Sequence, residues 1–266
     1  MYAFQYHRPG NIGEAAALLG KLGDGKALAG GQTLVATMKL RLANPSDLVD
    51  LGGIAELSGV RADGDALVIG AMTRHAAVAA SADVGKRIPA LAHLAGGIGD
   101  RQVRAAGTLG GSIANNDPAA DYPAGVLGLA ATIVTTQRSL AADEFFTGMY
   151  EPALKSGELI KSVSVPVPKR AGYAKFANPA SRFALIGVFV SQAANGAVRV
   201  AVTGGGSGVF RSAELEKALS ANFTPDAAGA VKLSADGFNG DIHASAEYRA
   251  HLVSVMAKRA VAAALG

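Results

Sequence analysis

The chain predicts an α+β fold. Three observations carry that expectation. Short β-branched or alternating stretches lie between helical periods along the whole length, and three strand-like segments follow one another after residue 169. The 34 glycines supply more turns than a helical bundle uses. Half of the 266 residues are apolar and 17% are charged, a balance that favours a folded chain with a sizeable core over a disordered one.

Asn11 reads as an N-cap, with Glu14 three residues on completing a capping box, and Ile12, Ala15, Ala16, Leu18, Leu19 and Leu22 follow at helical spacing. Lys26 to Ala29 reads as a strand running into the turn Ala29-Gly30-Gly31-Gln32-Thr33. Helix resumes from Leu34 to Leu42, which puts Gln32 and Thr33 at its N-terminus, where the dipole and unpaired N–H groups favour an anion. Pro45 stops that helix, and Asp47 to Asp50 begins the next strand.

A short strand at Ala66–Ile69 and helices at Thr73–Ala80 and Pro89–Gly96 come next, and Gly99 to Arg104 leads into a second glycine turn, Thr108-Leu109-Gly110-Gly111-Ser112. Pro118 to Ala131 reads as a helix begun by Asp117, with Pro123 as its kink point. Thr132 to Thr135 is β-branched, and Leu159 to Val165 alternates before Pro166. Lys169-Arg170-Ala171-Gly172 marks the expected boundary between domains at 1–169 and 170–266, the first divided into subdomains of about 1–55 and 56–169. Beyond it, strands at Tyr173–Phe176, Ala184–Ser191 and Val198–Thr203 precede two or three helices. The last, Ser245–Leu265, would set Tyr248, Leu252, Val255, Met256 and Arg259 on one side.

Composition excludes several functions. The net charge of +4 is scattered, a poor footprint for nucleic acid. With no cysteine, the chain holds no disulfide, thiolate nucleophile or iron–sulfur cluster of its own. No signal-peptide pattern and no membrane span are read, so a cytoplasmic protein is expected. The segment from Gly20 to Lys26 approaches a P-loop, but Ala27 stands where Ser or Thr is needed, and a helix C-cap is the better reading. Gly204-Gly205-Gly206-Ser207-Gly208 breaks the dinucleotide spacing at Val209 and reads as a flexible turn. His7, His75, His93, His243 and His251 show no metal-ligand spacing, so no metal is expected.

What remains is the pair of glycine turns. Glycine lets backbone approach an anion closely, and successive free N–H groups make a concave anion site. With Asn115-Asn116-Asp117 and Asp121 they suggest one elongated ligand held by several loops. Asp117 and Asp121 read as paired carboxylates for acid–base work or metal binding, or equally as caps of the helix near Pro118, with Asp117 its N-cap by default. As ligand groups they suit ribose hydroxyls better than phosphates, which they would repel.

These residues resemble the flavoprotein (medium) subunit of the molybdenum hydroxylases, the group of carbon monoxide and xanthine dehydrogenases. The resemblance is carried by Ala29 to Leu34, Met38-Lys39-Leu40-Arg41-Leu42, Thr108 to Pro118 with Asp121, and Ala244-Ser245-Ala246-Glu247-Tyr248-Arg249, in order from end to end. It implies a two-subdomain FAD-binding fold of the vanillyl-alcohol-oxidase-like (PCMH) type, followed by a small α+β domain with a three-stranded antiparallel sheet backed by helices. It also implies non-covalent FAD. Ala29, Gly30, Gly31, Gln32, Thr33 and Leu34 would wrap the pyrophosphate, and Thr108, Gly110, Gly111 and Ser112 would complete the cradle. Asp121 would meet the ribityl and phosphate region, Leu159 or Ile160 the isoalloxazine ring, and Lys175 its polar edge; Ile98, Asn115 and Asp117 join the set. The four glycines would then be indispensable because a Cβ would crowd the phosphates.

The sequence also departs from the family. Many members carry His-Ala where Asn115-Asn116 stand here, and Phe183 replaces a Tyr near the flavin. Gln32 replaces the His that bonds covalently to flavin in related proteins. The resemblance implies an electron-transfer subunit with no catalytic residue of its own. Its partners would be a molybdenum-cofactor large subunit and an iron–sulfur small subunit carrying [2Fe-2S] clusters, in a dimer of heterotrimers. A stand-alone flavoenzyme and a non-catalytic nucleotide-binding module are the alternatives; a flavin spectrum and co-purifying molybdenum and iron separate the three.

Overall fold

A computed structural model describes residues 1–266. The N-terminal lobe is a three-stranded parallel sheet in the order β1-β3-β2, from β1 (Gln5–His7), β2 (Gly25–Leu28) and β3 (Asp47–Asp50). Helix α1 (Ile12–Lys21) joins β1 to β2, and α2 (Leu34–Lys39) joins β2 to β3. Asn11 caps α1 by accepting from the Glu14 N–H at 2.9 Å. Glu14 reaches back to the Gly10 N–H, one residue earlier than a capping box has it. Helix α2 stops at Lys39, three residues short of the expected end, where Arg41 turns to a φ of 60°.

The second lobe is built on an antiparallel sheet, β4-β5-β10-β6-β7. Its members are β4 (Val60–Asp63), β5 (Ala66–Gly70), β6 (Thr132–Thr135), β7 (Ser139–Ala141) and the central β10 (Ile160–Pro166). Six helices separate β5 from β6: α3 (His75–Ala80), α4 (Ala82–Arg87), α5 (Pro89–Gly96), α6 (Arg101–Ala106), α7 (Leu109–Asn115) and α8 (Asp121–Gly128). A short helix α9 (Ala142–Phe145) and a hairpin of β8 (Phe146–Gly148) and β9 (Glu151–Pro152) complete it.

Two expectations change here. The segment Arg101–Ala106, read only as the approach to the second glycine turn, is helix α6, capped by Asp100 accepting from the Val103 N–H. Helix α8 begins at Asp121, not after Asp117. Thr203 donates its hydroxyl to the carbonyls of Pro118 and Ala120, the Gly204 N–H also takes Pro118, and Asp117 accepts from the Ala119 N–H in an Asx turn. Those tertiary bonds hold residues 118–120 out of the helix. Pro123 therefore falls in the first helical turn, where its missing N–H has no intrahelical partner to lose.

The C-terminal unit is the sheet β11-β12-β13-β14, from β11 (Arg170–Ala177), β12 (Ala184–Gln192), β13 (Val198–Thr203) and the two-residue edge β14 (Phe210–Arg211). The three expected strands form its antiparallel meander, and β14 adds a short fourth. Helices α10 (Ala213–Ala221), α11 (Pro225–Ala230) and α12 (Ala246–Leu265) cover one face. Strand β12 is buried on both sides: Ile186, Val188 and Val190 pack toward those helices, while Phe189 enters the core of the second lobe against α8. The expected boundary at 169/170 falls at the start of β11, yet Tyr173, Phe189 and Ala201 share one apolar cluster with the helices before it.

Helix α12 buries Arg249, Leu252, Val253, Met256, Ala257, Ala260 and Val261; Tyr248 and Arg259, expected on the same side as Leu252, are exposed. The Gly204–Gly208 run is not a flexible turn in its first half. Gly204, Gly205 and Gly206 are buried, and the Gly204 carbonyl accepts from the buried Arg249. No helix is long and apolar enough to cross a membrane.

Candidate cofactor site

The two glycine turns meet. The first leaves β2 and enters α2; the second leaves α6 and enters α7. Gly30 lies against Ala106 and Gly107 so closely that a Cβ would overlap the Ala106 carbonyl, and a Cβ on Gly111 would sit 3.2 Å from the Ala29 Cβ. Gly31 has a φ of 69°, the left-handed region that favours glycine. Behind the second turn, a Cβ on Gly110 would lie 2.6 Å from Ala71. At Gly30 and Gly110 neighbouring backbone already excludes a side chain, so the expectation that phosphate crowding makes the glycines indispensable is corrected there; at Gly31 and Gly111 a Cβ would meet the side chains of Val35 and Thr108.

The two turns use their amides differently. The N–H groups of Gly30, Gly31, Gln32, Thr33 and Leu34 donate to no acceptor in the chain. Five consecutive half-buried or exposed donors form a ready concave site for an anion, with the dipole of α2 behind them. Thr33 makes no side-chain cap bond, and Gln32 folds its amide onto the Gly30 carbonyl at 3.0 Å. In the second turn the amides are spent internally: Leu109 on Thr73, Gly110 on Ala71 at 2.8 Å, Gly111 on the Thr108 hydroxyl at 3.1 Å, Ser112 on the Thr108 carbonyl. Only the Thr108 N–H stays free between 107 and 112. The second turn is a buttress for the first, with the side chains of Ser112 and Asn115 half-buried and unbonded. That donor set fits a pyrophosphate, and it does so in the first turn.

Leu159 and Ile160 open β10 between two cores, Leu159 in the cluster of the N-terminal lobe and Ile160 in that of the second. Each is 6% exposed, so the aliphatic wall is nearly closed. Glu158, just before them, is held by Thr135, by the Arg138 guanidinium and by the Lys155 N–H; these bonds outweigh its burial and pull its pKa down to about 2.

A second group forms around Asp121. Its carboxylate accepts from the Tyr173 hydroxyl and pairs with Lys175 Nζ at 2.9 Å. Burial pushes this carboxyl above its ordinary range while Lys175 and Tyr173 oppose it. Lys175 also donates to the carbonyls of Gly97 at 2.9 Å and Arg182 at 3.1 Å. Within the chain alone, the three ammonium protons thus have three acceptors. Asp121 is likewise bonded, to Tyr173 and Lys175, and buried. Ile98 sits half-buried in the turn so held, and Asp117 faces Tyr150, whose hydroxyl lies 3.4 Å from it.

His75 lies behind the second turn. Its ring is 5.3 Å from that of Tyr122; neither its Nδ1 nor the Tyr122 hydroxyl has a partner, and its Nε2 would lie 2.5 Å from a Cβ on Gly107. Burial, with Arg104 adding to it, pulls its pKa down to about 4. Nothing in the spacing of the five histidines marked this one, nor did any motif mark Tyr173, Arg104 or Arg182. No cluster of His, Asp and Glu forms a metal site.

Residues 2–168 match the family described as the FAD binding domain in molybdopterin dehydrogenase. The chain belongs to that family. Along its length this FAD-binding chain is 37% identical to the carbon monoxide dehydrogenase medium chain of Hydrogenophaga pseudoflava, covering 98% of itself and 96% of the relative. It is 34% identical to the nicotine 6-hydroxylase medium subunit of Paenarthrobacter nicotinovorans, over 97% and 96%. Its structure superimposes on that of carbon monoxide dehydrogenase from H. pseudoflava with a TM-score of 0.88 at 36% identity, covering 99% of this chain and 98% of the other. Quinoline 2-oxidoreductase from Pseudomonas putida 86 gives 0.88 at 28% identity, over 99% and 97%. The α+β, PCMH-type fold that the resemblance implied is the fold of the family.

Proposed function

We propose that this chain is the FAD-carrying, electron-transfer subunit of a molybdenum-containing hydroxylase. It would stand between the iron–sulfur clusters of a partner subunit and an external acceptor. The carrying observation is the run of five unpaired amides from Gly30 to Leu34 in a member of an FAD-binding family. These amides would hold the pyrophosphate, with the Thr108 N–H, Ser112 and Asn115 beside them. Gln32 at the first turn and the absence of cysteine make the binding non-covalent. Leu159, Ile160 and Ile98 would supply apolar surface for a flat ring, and Asp117 a carboxylate for hydroxyl groups. Bound there, FAD supplies a carrier that exchanges electrons singly or in pairs. The chain's own residues bind it, orient it and exclude water.

The partners in this reading are a large subunit with the molybdenum cofactor and a small subunit with [2Fe-2S] clusters, assembled as a dimer of heterotrimers in the cytoplasm. The supporting observation is that relatives matched end to end are named medium chains and subunits of multi-subunit dehydrogenases and hydroxylases. This chain has no cysteine to ligate a cluster. The test is purification from the native source. Flavin absorbance with molybdenum, iron and two further chains in constant ratio supports the reading; a flavin-free, solitary chain that takes up no FAD on titration overturns it.

A further inference from the structure

The segment Ala244–Arg249 carries part of the family resemblance, yet no part in holding the cofactor falls to it. Ser245 caps α12 by accepting from the Tyr248 N–H, and Arg249 follows in the same helix, 4% exposed. A guanidinium out of water needs acceptors for its protons. Its Nη1 donates to the carbonyls of Leu185 and Gly204, each at 2.8 Å, and its Nη2 pairs with Asp241 at 2.8 Å. Asp241 is held in turn by the N–H groups of His243 and Ala244.

The two carbonyls mark one corner of the C-terminal sheet. Gly187 and Thr203 are the last pair of the β12–β13 ladder, and Leu185 and Gly204 lie just past it. Residues 118–120 rest on that corner. The Gly204 N–H donates to Pro118, and the Ala184 N–H donates to Ala119. The Thr203 hydroxyl lies 2.8 Å from the Pro118 carbonyl and 2.7 Å from that of Ala120. The segment so bound runs from Asp117 to Asp121 and sets where α8 begins.

We propose that Arg249 is a positioning residue for the flavin site. From α12 its guanidinium fixes the Leu185–Gly204 corner, and the corner fixes the Asp117–Asp121 segment that borders the cofactor. This rests on the FAD reading above. The side chain acts through Gly204 and Thr203 and needs no contact with the cofactor. A planar fork can serve two carbonyls and a carboxylate at once, which the single ammonium of a lysine does less well. The role also accounts for the Ala244–Arg249 motif: Ser245 starts the helix that aims the guanidinium.

The experiment uses the full chain, stripped of FAD, as wild type, Arg249→Lys, Thr203→Val, the double variant and Asp241→Asn. The first readout is hydrogen exchange of the Ala119 and Ala120 amides, both bonded to Asp117, with no cofactor present. The second is the FAD dissociation constant by titration. Arg249→Lys keeps the charge and loses the fork, so exchange at these amides is expected to rise by about tenfold. FAD should bind about fivefold more weakly. Thr203→Val cuts the last link, leaves the guanidinium alone and should move both readouts the same way. In the double variant the losses should fall short of the product of the two, since both substitutions break one chain of contacts. Asp241→Asn removes the charge partner and keeps an acceptor for the two amides. It should act in the same direction by less, and it carries the test if Arg249→Lys does not fold. Faster exchange with unchanged FAD affinity would mean that Arg249 only holds the C-terminal unit together, and overturns the proposal. Weaker FAD with unchanged exchange overturns it too, as do losses that multiply in the double variant. A wild type that takes up no FAD defeats the functional reading itself, a result distinct from these.

Discussion

Gly30 rests on the carbonyl of Ala106 with no room between them for a β-carbon. The contact joins the turn after β2 to the end of α6, and so decides how far the five free amides stand from the second turn. Gly30→Ala is expected to force the turns apart, because the obstacle is backbone. Overpacking of this kind costs about 1–3 kcal/mol. Thermal unfolding of the FAD-free chain should report the loss, and FAD titration should show weakened binding. Gly208→Ala is the control: nothing lies within 4 Å of its would-be Cβ, and both measurements should match the wild type.

Thr108 tests the buttress without adding volume. Its hydroxyl caps α7 by accepting from the Gly111 N–H. Thr108→Val keeps the shape and leaves that amide unpaired, at a cost of about 1 kcal/mol. The expected result in urea denaturation is a lower midpoint at unchanged slope. Because the five amides of the first turn are untouched, FAD affinity should fall by less than in Gly30→Ala.

His75 gives the chain an acid-sensitive element. Its pKa of about 4 in the fold lies below the ordinary 6.5, so the unfolded chain binds the proton first. The stability tied to the neutral ring is complete above pH 6.5 and is lost as pH falls from there to about 4. At about 1.4 kcal/mol per pH unit the loss approaches 3 kcal/mol. Arg104 is the charged group that opposes the protonated ring. His75→Leu, which removes the titration and no hydrogen bond, should flatten this part of the profile. Urea midpoints between pH 7.5 and 4 check it: the variant should gain on the wild type steadily as the pH drops.

Local chemistry made the glycine turns legible. Lys26 to Ala29 running into Gly30-Gly31, then Gln32-Thr33 opening a helix, is a pattern whose parts adjoin in sequence, and the structure keeps it. The reason for the glycines was not legible, since Ala106 becomes a neighbour of Gly30 only when the first two lobes pack, and Ala71 a neighbour of Gly110 only when the second lobe folds. Asp117 failed as a cap for the same kind of reason: Thr203, 86 positions later, takes the carbonyls that a helix would have used. Lys175 was reached by resemblance alone, because its partners are Asp121 and the carbonyls of two loops that no spacing rule connects. Residues whose partners lie within a few positions were read well, and those whose partners arrive from another element were not.

Glu158 supplies the last test, at the other end of the pH scale. Its carboxylate is held by Thr135, Arg138 and the Lys155 amide, and its pKa of about 2 lies below the ordinary 4.5. The sign is therefore that of a depressed acid: the stabilisation is complete above pH 4.5 and is lost as pH falls toward 2. Glu158→Gln removes the charge and leaves Arg138 without its carboxylate, so at pH 7 the variant should be less stable by roughly 2–3 kcal/mol. The gap should close progressively below pH 4.5, as the wild-type carboxyl takes up its proton. His75 titrates in both proteins and cancels from the difference, which leaves the lower window to Glu158 alone. Glu158 also fixes the backbone entering Leu159 and Ile160, so at pH 7 the variant should hold FAD less tightly than the wild type, as titration of the two proteins side by side would show.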